Sequence, residues 1–286
     1  MTTQGIVSIA IIGLTAIGCF DPGALMPQSE GHGGTGGAAS GGAAGRADDP
    51  GTGGAGLPPG RGITLVTNGD GWLEANPAGA VGAWWTVNDS VGADGTPGGG
   101  DCPAAGFPIS ACSTLTTPTP GMPFRPDPGG RGICASGTSA QVLNGSDGLP
   151  AWPVIWGNII AFNVATPDPD PMAPVGTYDA PAHGITGFAF DIDAPPAGGH
   201  VRVMFATPGT ENHAAYWDGV VNDASPISGP GHYEVRWPEV GGPFWYAAPA
   251  PFDPTKIEWI AFHVVSTDVA PVPFAFCLTN LVLLTN

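Results

Sequence analysis

Helix breakers are spread so densely through this 286-residue chain, with 47 glycines and 33 prolines, that no long helix can run through it. A glycine inside a helix costs roughly 1 kcal/mol and a proline roughly 3 kcal/mol, so a chain punctuated in this way is built from turns and short strands. Between the breakers lie runs of β character at 63–66, 83–87, 159–164, 186–193, 200–206, 233–237, 256–265 and 274–284. In the run 186–193, Thr186, Phe188, Phe190 and Ile192 fall on one side, and Gly187, Ala189, Asp191 and Asp193 on the other. In 201–205 the inward set is Val201, Val203 and Phe205; in 256–265 it is Ile260, Phe262 and Val264. This alternation is that of half-buried antiparallel strands. Several such strands separated by turns, with no helices between them, predict an all-β protein, a β-sandwich of two antiparallel sheets.

The first sixty residues follow another logic. An apolar stretch at 6–17, too short to span a bilayer, reads as the core of a signal peptide. Between Gly31 and Gly56, 12 of 26 residues are glycine, and such a segment has too little apolar surface to offset its ordering entropy. As a flexible spacer of about 40 residues it reaches roughly 35 Å. The expected organisation is a leader at 1–18, a tether at 19–62 and one folded domain at 63–286, large enough to bury a sizeable core. The junction Ala16-Ile17-Gly18-Cys19 resembles a bacterial lipobox. That resemblance implies an exported lipoprotein whose Cys19 carries the lipid, touching the membrane of the cell envelope through that anchor only. Phe20 stands where an aspartate would retain some lipoproteins at the inner membrane, so an outer-membrane address is expected.

From Ile63 onward, 5 Lys and Arg face 20 Asp and Glu, a net charge of −15. Nucleic acid and anionic headgroups need clustered cations and are poor partners for such a surface. Beyond Cys19 the cysteines are Cys102, Cys112, Cys134 and Cys277. An even number in an exported chain points to two disulfides with three conceivable pairings. We favour Cys102 with Cys112 as a short loop clip, and Cys134 with Cys277 as a tie from a loop to the last strand. A zinc site is not expected, because no Cys-x-x-Cys spacing occurs. The stretch 92–132, rich in proline and without period, reads as a long clipped loop.

One succession of segments is informative as a whole. Asn68-Gly69-Asp70-Gly71-Trp72 is followed by Trp84-Trp85-Thr86-Val87-Asn88-Asp89 and then by Trp156-Gly157-Asn158-Ile159-Ile160-Ala161-Phe162. Next come Tyr178-Asp179-Ala180, Ile185-Thr186-Gly187-Phe188-Ala189-Phe190 and Val201-Arg202-Val203. The chain closes with 257–262 and 274–284. This order resembles the jelly-roll, galactose-binding-like domains found in carbohydrate-binding modules and bacterial surface lipoproteins. The resemblance implies a jelly-roll sandwich that binds a glycan without catalysis. Many such domains hold a structural calcium where the first and last strands meet. Here the matching places read Thr64-Leu65-Val66-Thr67-Asn68 and Thr279-Asn280, which leaves Asn68, Asp70 and Asn280 as candidate ligands. Calcium prefers about six to eight oxygens, several of them anionic, and no cofactor is expected here.

A sugar site needs flat aromatic faces beside polar groups. Trp259 and His263 lie on the strand face opposite Ile260 and Phe262, Arg202 faces away from Val201 and Val203, and Asp191 faces away from Phe190. If their strands are neighbours, Asp191, Arg202, Trp259 and His263 form one polar-aromatic patch, the expected ligand site; otherwise they serve packing and ion pairing. Trp217 and Trp245-Tyr246 are rival platforms. A glycosidase would need two carboxylates flanking a bond; Asp191 and Asp193, roughly 7 Å apart on one strand face, have a permissible spacing. Neither a Gly-x-Ser-x-Gly elbow nor a His-Glu-x-x-His helix occurs. The reading is therefore a monomeric glycan-binding surface protein. A structural or adhesive role without sugar affinity is the alternative, and a glycoside-processing enzyme stands behind both.

Overall fold

The structure is a computed structural model that describes residues 62–91, 98–118, 124–127, 132–166, 176–197, 200–208, 215–217, 227, 229–242 and 251–286. The leader, Cys19, the tether up to residue 61 and the pair Trp245-Tyr246 lie outside the described residues. In chain order the strands are β1 (Gly62–Thr64), β2 (Trp84–Asn88), β3 (Thr114–Thr117), β4 (Ile133–Ser139), β5 (Gly157–Asn163) and β6 (Ile185–Ile192). They continue with β7 (Val201–Ala206), β8 (Ala215–Trp217), β9 (Gly231–Arg236), β10 (Val240–Gly241), β11 (Trp259–Val265) and β12 (Val272–Thr285). One antiparallel sheet runs β3-β4-β12-β6-β9, with β1 also paired to β12; the other runs β10-β8-β7-β11-β5-β2. The chain crosses between the two at each step from β4 to β7, which gives a jelly-roll sandwich. Among the described residues no helix is long and apolar enough to cross a membrane.

Alternation builds the core. Phe188, Phe190 and Ile192 of β6 meet Phe162 of β5, Phe205 of β7 and Ile260, Phe262 and Val264 of β11, all buried in one cluster between the sheets. Aromatic rings join the layers: Phe190 and Phe262 lie edge to face with centroids 4.8 Å apart, and Phe188 and Phe162 tilt together at 5.9 Å. Such pairs add roughly 0.5–1.5 kcal/mol beyond the area they bury.

Two expectations are corrected here, and one strand was not foreseen. The β6 register skips a residue beside Thr285, so Ile185 turns into the core with Phe188. Thr186 points the other way and accepts a hydrogen bond from the Arg236 guanidinium (2.9 Å). A bulge inserts one residue and re-aims every side chain on one side of it, which strict alternation cannot foresee. The stretch read as loop at 92–132 contains the one-turn helix Asp101–Ala104, the 3₁₀ turn Ile109–Ala111 and β3. Strand β4, of sequence Ile-Cys-Ala-Ser-Gly-Thr-Ser, was not foreseen either, because small and polar residues dominate it.

Both favoured disulfides form, Cys102 with Cys112 and Cys134 with Cys277. Cys134 lies in β4 directly opposite Cys277 of β12, so the second bond joins two paired strands instead of tying a loop to a strand. Asp89, just past β2, is fully buried and fastens this end of the sandwich. Its Oδ1 accepts the Ser113 backbone N–H (2.7 Å), and its Oδ2 accepts the Ser113 hydroxyl (2.7 Å) and the Gly157 N–H (2.9 Å). Burial pushes its carboxyl up to about 6, against the opposing pull of these donors.

Candidate functional site

The outer face of the second sheet carries the aromatic groups. In β11 Ile260 and Phe262 point inwards, so Trp259 emerges on the outer side; in β2 Trp84 is buried in the core and Trp85 emerges beside it. Across the sheet Trp85 pairs with Ala161, which pairs with Ala261, and Trp259 lies between Asn163 and Ala206. Two indoles thus stand above a floor of alanines, both half-buried. Their centroids are 5.8 Å apart and their planes 86° to one another. The Trp85 indole N–H donates to Asn163 Oδ1 (2.9 Å), which orients both groups and keeps the Asn163 amide nitrogen available as a donor. The result is an L-shaped aromatic corner with a polar group at its side. Neither Trp85 nor Asn163 was singled out in the sequence, although in the Trp84-Trp85 pair strand alternation must turn one ring out.

The next row of this face reads Val87, Ile159, His263 and Arg202. His263 and Arg202 are therefore neighbours, as expected, but they are only 1% and 5% exposed. His263 Nε2 lies 2.9 Å from the Trp156 carbonyl, which can only accept, so the ring carries its proton on Nε2. Among the described residues its Nδ1 has no hydrogen-bond partner. Burial, aided by the nearby Arg202 charge, pushes the imidazole down to about 3. His263 is accordingly a neutral structural group beneath the surface, and Trp259 is the member of the expected patch that reaches it.

A pH experiment follows from these shifts. A histidine whose folded pKa is depressed from 6.5 to about 3 supports folding above pH 6.5 and loses that contribution as pH falls towards 3. Asp89, raised from 3.8 to about 6, works in the opposite sense: its contribution is full below pH 3.8 and is lost as pH rises through 6. Glutamine can keep the hydrogen bond to the Trp156 carbonyl without titrating. Between pH 7 and pH 4 the stability difference between His263→Gln and wild type should therefore move by about 3 kcal/mol in the variant's favour. Urea titrations of both proteins across this range test it; a constant difference would mean that His263 is not neutral in the fold.

Asp191 does not belong to this patch. It lies in β6, whose neighbours are β12 and β9, so neither Arg202 nor Trp259 is adjacent to it. Its carboxylate is 2.5 Å from His232 Nδ1 and accepts the Asn280 amide, also at 2.5 Å. On the same face Glu234 pairs with Arg236 (3.1 Å), which extends a polar row along the first sheet. Asp193, the other half of the conceivable catalytic pair, accepts the Cys277 backbone N–H (2.6 Å).

The calcium candidates are likewise engaged separately. Asn68 Oδ1 accepts the N–H groups of Asp70 and Trp72, exposed Asp70 faces Arg125 at 3.7 Å, and Asn280 gives its amide to Asp191. Among the described residues one group of ligand-type side chains converges, Asp89 with Cys102 and Cys112, and its two sulfurs are joined in the disulfide. Trp217, a rival platform in the sequence, lies in β8 with Val240 as its register partner.

No protein-family model matches the chain, and no curated protein matches it. Among solved structures it is similar to the family 11 carbohydrate-binding module of the cellulosomal cellulase Lic26A-Cel5E of Clostridium thermocellum. That match has 13% identity and a TM-score of 0.32, and covers 61% of this chain and 80% of the module. It is also similar to a family 11 module from Clostridium thermocellum in complex with a β-1,3-1,4-mixed-linked tetrasaccharide. Here identity is 11% and the TM-score 0.35, over 79% of this chain and 96% of the module.

Proposed function

We propose that this protein binds carbohydrate without acting on it, on the outer face of the second sheet, with Trp85 and Trp259 as the platform. The observation that carries this reading is the indole corner itself: two half-buried tryptophans at 86° over an alanine floor. Tryptophans serving the core between the sheets are enclosed, as Trp84 and Trp237 are at 4% and 8% exposure. Trp85 and Trp259 keep part of their faces open at a price in exposed apolar surface. The apolar face of a pyranose fits such a ring, and Asn163 offers a donor for a hydroxyl. The carboxylates that would suit a glycosidase are held in hydrogen bonds on the opposite sheet, which favours binding over hydrolysis.

Retention of the full chain in gels containing β-glucan, xylan or galactan tests the reading. Trp259→Ala is expected to weaken retention by at least tenfold while shifting Tm by only a few degrees, since its ring lies at the surface of the sheet. A folded Trp259→Ala protein that binds as wild type does, or a wild-type protein retained by no polysaccharide, would leave a structural or adhesive role instead. Turnover of a chromogenic glycoside, lost in Asp191→Asn, would revive the enzyme.

Lipid attachment at Cys19, and with it a place at the bacterial outer membrane, belongs to the same proposal and rests on the sequence Ala16-Ile17-Gly18-Cys19. Two or more acyl chains hold a protein durably where one does not. Cys19→Ala is expected to move the protein from the membrane pellet to the soluble fraction, and equal pelleting of both forms would refute the anchor.

A further inference from the structure

Where β2 ends, a buried carboxylate lies against a disulfide. An oxygen of Asp89 and the sulfurs of Cys102 and Cys112 are all within 4.8 Å of one another. Both ends of the clipped loop hold this contact in place. The Cys102 N–H donates to the Asp89 carbonyl (2.9 Å), and Ser113, next to Cys112, donates to both carboxylate oxygens. Asp89 and Cys102 are fully buried, and Cys112, itself only 5% exposed, forms part of the wall of an open pocket of about 340 Å³. Ser110, Ala111, Thr138, Gln141, Leu143 and Pro271 line the same pocket, and among the described residues none that lines it carries a charge.

We propose that the Cys102–Cys112 bond is a thiol–disulfide exchange site for small uncharged thiols, entered at Cys112 from this pocket, with Asp89 handling the proton of the Cys102 sulfur. The thiolate of the incoming molecule forms a bond to Cys112 Sγ. The bond to Cys102 breaks, its electron pair leaves on Cys102 Sγ, and that sulfur takes the proton of the Asp89 carboxyl to become a thiol. A second small thiolate then attacks the outer sulfur of the mixed disulfide, and Cys112 leaves and is protonated by solvent. Two small thiols are oxidised to one small disulfide, and the protein disulfide gains two electrons and two protons. In the reverse direction the Asp89 carboxylate accepts the Cys102 proton.

The geometry favours this route at each point. Attack at Cys112 makes Cys102 the leaving group, and Cys102 is the sulfur sealed in with the acid. A thiolate leaving beside an ionised carboxylate would create two like charges in a dry site, which protonation of Asp89 avoids. Burial raises Asp89 to about 6, so it holds a proton under mildly acid conditions. Among the described residues the other ionisable groups near this corner are Asp101, which accepts the Trp156 indole N–H (3.2 Å), and His263, whose Nε2 donates to the Trp156 carbonyl. The remaining neighbours, Asn88, Ser90, Ser113 and Gly157, do not titrate. An uncharged pocket in a chain of net charge −17 disfavours anionic thiols.

The test uses the folded full-length protein with 2-mercaptoethanol between pH 5 and 8, quenched by alkylation and read by mass spectrometry at both disulfides. The adduct is expected on Cys112. The opening rate per thiolate should fall about tenfold from pH 5 to pH 7 at Cys102–Cys112, as a group of pKa near 6 ionises, and stay level at Cys134–Cys277. An anionic thiol of matched pKa should react at least tenfold more slowly, and Asp89→Asn should abolish the fall with pH. Should that variant fail to fold, the comparison of the two bonds in the wild-type protein decides. An adduct on Cys102, the same pH profile at both bonds, or no opening short of unfolding would overturn the proposal.

Discussion

Replacing Cys134 and Cys277 together by alanine is expected to lower the unfolding free energy by about 5 kcal/mol, whereas the same change at Cys102 and Cys112 should remove about 3 kcal/mol. The first bond closes a loop of 143 residues and the second one of 10. A cross-link acts chiefly by denying conformations to the unfolded chain, and the entropy lost grows with the logarithm of the loop length. Both pairs are already close in the fold. Cys134 and Cys277 are register partners on hydrogen-bonded strands, so the long bond costs the sheet no rearrangement. Equilibrium urea titrations of the two double variants give the comparison. Equal losses, or a larger loss at the short loop, would show that local packing and not chain entropy sets the contribution of these bonds.

Phe262→Ala is expected to cost about 4 kcal/mol, within the roughly 3–5 kcal/mol range for a buried phenylalanine truncated to alanine. The ring is fully buried and bridges the sheets, 4.8 Å from Phe190 and 6.4 Å from Phe188 between centroids. Its neighbours are strand side chains held by ladder hydrogen bonds on both sides of β11, so the void cannot close by collapse. In a domain of this length the loss corresponds to a Tm lower by roughly 10 °C. Thermal unfolding followed by near-ultraviolet circular dichroism measures it. A drop of only a few degrees would mean that the two sheets can approach one another, and that the aromatic layer is looser than its edge-to-face geometry implies. Phe262→Leu, which restores most of the volume, should recover more than half of the loss.

Both experiments bear on how much of this molecule could be read from residues alone. The inward sets Val201, Val203, Phe205 and Ile260, Phe262, Val264 were legible, because alternation is a property of a single extended segment. The two disulfides were also legible, since an even set of cysteines leaves few pairings. Strand β4 was not. Its Ser, Gly and Thr residues lack the apolar alternation that marks a strand, and it is held by β12 on one side and β3 on the other. The bulge that turns Ile185 inwards in place of Thr186 was hidden as well, because it arises from the mismatch of β6 with β12.

At the candidate site the division is sharper. The side of the strand on which Trp259, His263 and Arg202 lie followed from sequence. Which residues share a sheet, and which of them water reaches, did not. Asp191 and Arg202 are near neighbours in the chain yet lie on opposite sheets, while Trp85 and Asn163, 78 residues apart, share a hydrogen bond. The row containing His263 and Arg202 is buried, although its pattern reads as an outer face. Local order along the chain determined where the apolar-alternating strands form and which way their side chains lean within an unbroken register, because backbone geometry and the avoidance of water act residue by residue. Tertiary structure alone decided which faces meet, which indoles stay open, and that Asp89 closes in on a disulfide, because those outcomes depend on pairings between segments far apart in the chain.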